Sequence, residues 1–317
     1  MDTSCASGQD GAPVPVPAAG ATPANYALLL LVATILGSNF MMTGLAMDTL
    51  TPGMWVALRL GVAAAILTLV MLASGHRFPR GAIWLPLLAS AFFGHTLPFS
   101  LISWGQQVVD SGLAAIMMAT MPLFVLLLAQ LFTLDEKPNR YATAGFVLAL
   151  AGVVVLIGPA RLLTFSGSVE RELAIIAAAL AFGVNAIVTK KLTRLAWQPM
   201  VASFMVAAFL LALPLAALQA QDPGAIEPAV WAIVAYTGVM PTALGSVLIL
   251  VIVRRAGASF LSQLNFIVPI VGVVLGVTLM GERLGLSAIV ALAIILAGLT
   301  LSQRRPRTLH TVAREGK

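Results

Sequence analysis

Ten stretches of about twenty mostly apolar residues, joined by short polar connections, occupy nearly the whole chain and leave it few ways to fold. A helix rises about 1.5 Å per residue and the hydrocarbon core of a bilayer is about 30 Å thick, so about 20 apolar residues make one crossing. The stretches are 26–46, 54–73, 82–104, 113–132, 141–157, 173–189, 201–218, 230–253, 258–280 and 286–301. The connections hold the turn formers, as in Thr51-Pro52-Gly53 and Asp222-Pro223-Gly224, and no extramembrane domain fits between them. With 9% of its residues charged, against about a quarter in soluble domains, the chain cannot build a surface facing water on all sides. The expected class is an all-α integral membrane protein. Cys5 is the only cysteine, which excludes a disulfide framework and a Cys-rich metal centre.

Residues 1–25 hold no Lys or Arg, lack the basic start of a signal peptide, and are expected to be a disordered tail. Residues 303–317 form a basic tail opened by Gln303-Arg304-Arg305-Pro306-Arg307. Ten alternating crossings put both ends of the chain on one side, and the charges choose which. That side receives 14 of the 18 Lys and Arg, at positions 77, 80, 137, 140, 190, 191, 194, 254, 255, 304, 305, 307, 314 and 317. The positive-inside rule therefore predicts that both termini are cytoplasmic, in a bacterial inner membrane. It also explains the net charge of +6 without a nucleic-acid partner, because the basic residues are spread over several loops.

An offset of 146 lays Ala33, Gly37, Asn39 and Thr43 on Ala179, Gly183, Asn185 and Thr189, and Glu136, Ala151 and Gly152 on Glu282, Ala297 and Gly298. The chain thus reads as two five-span repeats, residues 26–158 and 172–302, with residues 159–171 as an external linker. Five crossings per repeat is an odd number, so the second copy enters the membrane from the opposite side. Inverted repeats recur in secondary transporters, whose substrate site lies near the midplane between the halves.

Gly37-Ser38-Asn39-Phe40 in span one, Leu58-Arg59 in span two, and a proline in spans four and nine followed by an acidic exit carry a family resemblance. The exits are Asp135-Glu136-Lys137 and Gly281-Glu282-Arg283-Leu284; the first departs from the second by having Asp135 in place of Gly. The chain resembles the EamA-type members of the drug/metabolite transporter superfamily from about residue 26 to residue 302. That resemblance implies that spans one to four and six to nine surround a central cavity, with five and ten as peripheral supports. It also implies traffic in small metabolites, often amino acids or related amphiphiles.

Polar side chains deep in a span are costly and face the bundle interior or water. Asn39 and Asn185 each have a Thr one helical turn on, Thr43 and Thr189, and are read either as substrate-binding groups or as interhelical glue. Arg59 lies about one and a half turns inside span two, where it either snorkels to the interface or meets a substrate carboxylate or broken-helix carbonyls. His95, the residue type whose charge changes near neutral pH, is the candidate for proton coupling; otherwise the carrier is facilitative. Ser259, Gln263, Asn265 and Trp104 are candidates at the ends of the path, and Pro98, Pro122, Pro241 and Pro269 are candidate hinges. Glu136 and Glu282 are expected to be structural or gating groups rather than substrate ligands.

An intramembrane enzyme is disfavoured. Ser246 is outside a Gly-x-Ser-x-Gly elbow, and the chain has no His-Glu-x-x-His, no acidic magnesium cluster and no Gly-x-x-x-x-Gly-Lys loop. The expected function is secondary transport of small metabolites by alternating access, more in the direction of export, with a lipid flippase or channel-like facilitator as the alternative. No cofactor or metal is expected. The expected partners are a small-molecule substrate and membrane lipid, with homodimerisation left open.

Overall fold

The computed structural model describes residues 22–132, 140–165, 167–192, 195–222, 224 and 226–304. Each expected span is a helix among these residues: α1 (Pro23–Met47), α2 (Pro52–Ala73), α3 (Trp84–Gly105), α4 (Ser111–Phe132), α5 (Arg140–Ile157), α6 (Val169–Thr189), α7 (Trp197–Leu218), α8 (Pro228–Ala256), α9 (Ala258–Leu279) and α10 (Leu286–Ser302). A short helix, Pro159–Thr164, lies between α5 and α6.

The starts follow local chemistry. Thr22 accepts from the Asn25 N–H while Pro23 takes the first turn, where its missing N–H costs nothing. Pro52 and Pro228 open α2 and α8 in the same way. Gly257, at φ 87°, separates α8 from α9 with no other connection, a backbone state that a side chain would strain.

The packing repeats with the sequence. α2 lies along α7, and α5 lies along α10. The contact of α1 with α9 is matched by that of α6 with α4. Gly37 makes the first of these possible, since a Cβ there would stand 2.6 Å from Val271 Cγ1. Gly183, 146 residues later, does the same against Phe124, 3.1 Å from its Cβ. In the α5–α10 pair, Gly145 and Gly298 bring backbone against backbone, the small-residue packing that membrane helices use where lipid supplies no hydrophobic drive.

Four spans are not continuous α-helix. α3 has a π-helical segment at Phe92–Thr96 and α8 one at Gly238–Leu244, starting 146 residues apart, the repeat offset. The backbone N–H of Leu97 reaches Phe92 O, and that of Gly245 reaches Met240 O, five residues back instead of four. Pro98 and Pro241 account for the shift, because a proline cannot donate and its ring crowds the carbonyl four residues before it. α4 breaks at Ala119-Thr120, just ahead of Pro122. α9 breaks at Ser262-Gln263, so Pro269 lies inside the continuous segment Leu264–Leu279, where a hinge was expected.

Candidate transport pathway

α4 and α9 cross where a Cβ on Gly272 would stand 2.5 Å from Ala115 Cβ. From this contact the two helices differ sharply in the two directions.

Toward the face opposite the chain termini they are tied together. Glu282, just beyond α9, accepts from the Ser111 N–H at 2.7 Å, the Ser111 hydroxyl at 2.5 Å and the Gly112 N–H at 2.8 Å. The two N–H groups are free backbone donors of the α4 N-terminus, where the helix dipole also favours an anion. Gly112 and Gly276 make room for the carboxylate, for a Cβ on either would collide with it. Asp110 sits close by, and its carboxyl is raised above the ordinary range by burial and by the negative charge of Glu282. On the same face Gln106 Nε2 donates to Phe40 O at 2.9 Å. The Thr51 N–H donates to Gln221 Oε1 and the Gly53 N–H to Gln219 Oε1, both at 2.8 Å, joining the first repeat to the second. Arg171 completes this lacing, donating to Trp104 O and Gln107 Oε1, both at 2.7 Å, with its guanidinium 4.1 Å above the Trp104 ring.

Toward the terminal face α4 and α9 part around a cavity of about 460 Å³, lined by Leu36, Phe40, Met118, Met121, Leu261 and Asn265 among others. A second cavity of about 330 Å³ shares Met121, Pro122 and Asn265 with the first and reaches Lys190 and Gln303. Both helix breaks border the first cavity, through Ala119 and Ser262. Its wall is apolar except for Ser262 and Asn265.

The expected polar residues divide. Asn265 lines both cavities, while Ser259 is exposed nearby, its carbonyl accepting from Ser262 Oγ at 2.7 Å. Gln263 is half-buried at the α9 break. Asn185 is engaged between helices, its Oδ1 accepting from Ser90 Oγ at 2.7 Å and Thr189 Oγ1 at 3.2 Å. Asn39 differs: its Oδ1 is buried without a partner, while Thr43 Oγ1 donates only to the Asn39 carbonyl. Its neighbour Ser38 carries the interhelical bond instead, 2.8 Å from Tyr236 Oη. Ser90 and Tyr236 stand 146 residues apart, so each repeat joins its first helix to the third helix of the other through a polar pair. Sequence reasoning passed over Ser90, Tyr236 and Ser111, whereas Gln106, which it placed with Trp104 at the end of span three as a path candidate, bonds the Phe40 carbonyl; the repeat offset, applied to all polar positions, would have found Ser90 and Tyr236.

Arg59 does not snorkel. It is 2% exposed, bonds Thr242 Oγ1 at 2.9 Å and lies 4.1 Å over the Phe99 ring. His95, in the π segment of α3, stacks on Phe204 at 4.9 Å and meets the same Phe99 edge-on at 5.8 Å, with its Nδ1 buried and unpartnered. Glu136 lies outside the described residues.

Each half of the chain is matched separately by one family of known proteins. The EamA-like transporter family matches residues 24–158 and again 171–303. The chain belongs to this family. As an EamA-like transporter it is a multi-pass membrane protein, and several of its relatives are named as transporters. It is 24% identical to the uncharacterized transporter YoaV of Bacillus subtilis over 86% of this chain and 94% of that one. A probable terminal-alkyne amino-acid exporter of Streptantibioticus cattleyicolor is 31% identical over 78% of this chain and 82% of its own. The uncharacterized inner membrane transporter YedA of Escherichia coli K12 is 24% identical over 87% and 89%. A solved crystal structure covers 89% of this EamA-like chain and 98% of its own at a TM-score of 0.63 and 20% identity, a likeness of fold.

Proposed function

We propose that this EamA-like protein is a secondary transporter that exports small amphiphilic metabolites, amino acids or related compounds, by alternating access, with its terminal face in the cytoplasm. The observation that carries this reading is the asymmetry of the α4–α9 pair. Glu282 ties it shut at one end, while a 460 Å³ cavity parts it at the other. An inverted repeat can exchange those two ends by rocking one half against the other. The conformation described is then the inward-open one, and the basic loops mark its open side as cytoplasmic.

The cavity wall supports an amphiphile with a sizeable apolar part. Met118, Met121, Phe40 and Leu264 offer dispersion contacts, and Asn265 and Ser262 offer hydrogen bonds to a polar end. The exporter from Streptantibioticus cattleyicolor, named for an amino acid with a terminal alkyne, lends weight to the same class.

Asn39 is the second substrate contact we assign, because its amide oxygen is buried and unmatched. His95 is the group proposed to couple transport to protons, since its Nδ1 is buried without a hydrogen-bond partner. His95→Gln then abolishes pH-driven flux; retained pH dependence removes His95 from that role.

Counterflow in proteoliposomes tests the whole reading. Vesicles loaded with an unlabelled aliphatic amino acid should accumulate the labelled compound transiently and saturably. Flux without counterflow would indicate a channel. Exchange of labelled phospholipid between leaflets, without amino-acid flux, would indicate a flippase.

A further inference from the structure

We propose that Trp55, Arg59 and Thr242 form a carboxylate-binding subsite that receives the acidic group of the transported amphiphile; the proposal rests on the carrier reading above.

Trp55 and Arg59 stand one turn apart on the same face of α2, and they are 0% and 2% exposed. Both side chains are donors only. One guanidinium nitrogen of Arg59, Nη2, reaches Thr242 Oγ1 at 2.9 Å, but Arg59 Nε and Trp55 Nε1 are each buried without an acceptor. The Arg59 guanidinium carbon is 5.6 Å from the centre of the Trp55 ring, so the two orphaned donors belong to adjoining side chains. Buried donors are nearly always satisfied, and two left open on adjoining side chains ask for an acceptor from outside the protein.

Charge narrows the kind of acceptor. Arg59 keeps its proton under all ordinary conditions, so burial leaves a cation in a medium of low dielectric. Every Asp and Glu of the chain lies in a tail, a loop or at a span end, and the ion pair recorded among the described residues, Arg161 with Glu172, lies at the start of α6. Phe99 and Trp55 present ring faces to the guanidinium, a partial compensation that a diffuse cation accepts. A neutral carbonyl would satisfy the free donors but leave the charge. A carboxylate does both, with two coplanar oxygens that suit the guanidinium fork.

Thr242 is a positioning residue. Its hydroxyl donates to Thr237 O at 2.7 Å, five residues back and just ahead of the π segment, and this turns its oxygen lone pairs toward Arg59. The proline-induced π segment of α8 therefore aims the guanidinium. Met205 occupies the equivalent place in α7 and is fully buried, so the two repeats contain one such subsite between them. The subsite lies seven residues from the start of α2, beneath the Thr51 and Gly53 bonds to Gln221 and Gln219. It is covered in this conformation and becomes reachable when that end opens.

The test uses full-length protein in detergent and in proteoliposomes, with L-norleucine, hexanoate and their primary amides as probes. In wild type the two carboxylates should raise the unfolding temperature and compete in counterflow about 10- to 100-fold better than the amides, the scale for pairing a buried charge. Arg59→Gln should reduce that preference to near unity, and Arg59→Lys, which keeps the charge but loses the fork, should fall between. Thr242→Val should raise KM for the carboxylates more than for the amides. Folding of each variant is checked by its ligand-free unfolding transition. Equal recognition of acids and amides by wild type, or an unchanged preference in Arg59→Gln, overturns the subsite. Counterflow of the amides in that case leaves the carrier reading standing, whereas loss of all counterflow in wild type removes both.

Discussion

Ser90 Oγ donates a 2.7 Å hydrogen bond to Asn185 Oδ1, joining α3 of one repeat to α6 of the other, while Asn39, the repeat counterpart of Asn185, keeps its Oδ1 buried and unpaired. One residue type at matched positions thus does two different jobs. Ser90→Ala and Asn185→Ala should each lower the unfolding temperature, and the double variant should cost less than the two together. The coupling expected from such a pair within a membrane is about 0.6–1.7 kcal/mol. Asn39→Ala should leave the unfolding temperature nearly unchanged and weaken counterflow instead. Additive losses for Ser90 and Asn185 would break the assignment of that bond.

Removing the Glu282 carboxylate should open the end of the bundle that it ties. Hydrogen bonds to a charged group contribute about 1.5–3 kcal/mol each, so losing three of them shifts the balance between the two open states decisively. Thr43, 1% exposed in α1 near that face, reports the change. In a Cys5→Ser background, Thr43→Cys should resist an impermeant maleimide, and adding Glu282→Ala should speed its labelling from that face at least several-fold. Glu282→Gln should give a smaller change, since an amide oxygen still accepts.

Gly298→Ala should destabilise without touching the pathway. Its new Cβ would stand 2.6 Å from Gly145 O, a backbone atom that cannot swing aside. Overpacking of this kind costs about 1–3 kcal/mol, so a fall of about 2–10 °C in the unfolding temperature is expected by thermal unfolding in detergent. KM in counterflow should stay as in wild type.

Asp110 gives a pH dependence of defined sign. Its folded-state pKa is raised, so the folded protein holds the proton more tightly than the unfolded one, and stability falls as pH rises from the ordinary carboxylate range through the raised value. Its position at the start of α4 works the other way, because the helix dipole favours an anion there, but the upward shift shows that burial and Glu282 prevail. Asp110→Asn should therefore raise the unfolding temperature at neutral pH, by about 1–2 °C for a group this exposed. The gain should vanish in acid, where wild-type Asp110 is already neutral. A gain that persists in acid would point to a cause other than charge.

The ten helices, their lengths and the inverted repeat were legible in the order of residues alone. Each span must satisfy its own backbone hydrogen bonds within lipid, which makes twenty apolar residues a local and nearly sufficient signal. The matched glycines and asparagines made the repeat visible because a packing rule applied twice leaves the same small residues twice. The tertiary structure decided which polar groups meet. Glu282 finds Ser111 across 171 residues and Arg59 finds Thr242 across 183, contacts that depend on how each helix is rotated and how deeply it crosses its neighbour. It also decided that prolines at similar depths have unlike effects, shifting the bonding in α3 and α8 while leaving α9 helical around Pro269. The preference of one helix for lipid is a property of its composition, whereas the closure of one end of the bundle is a property of pairs of helices, and no single segment encodes it.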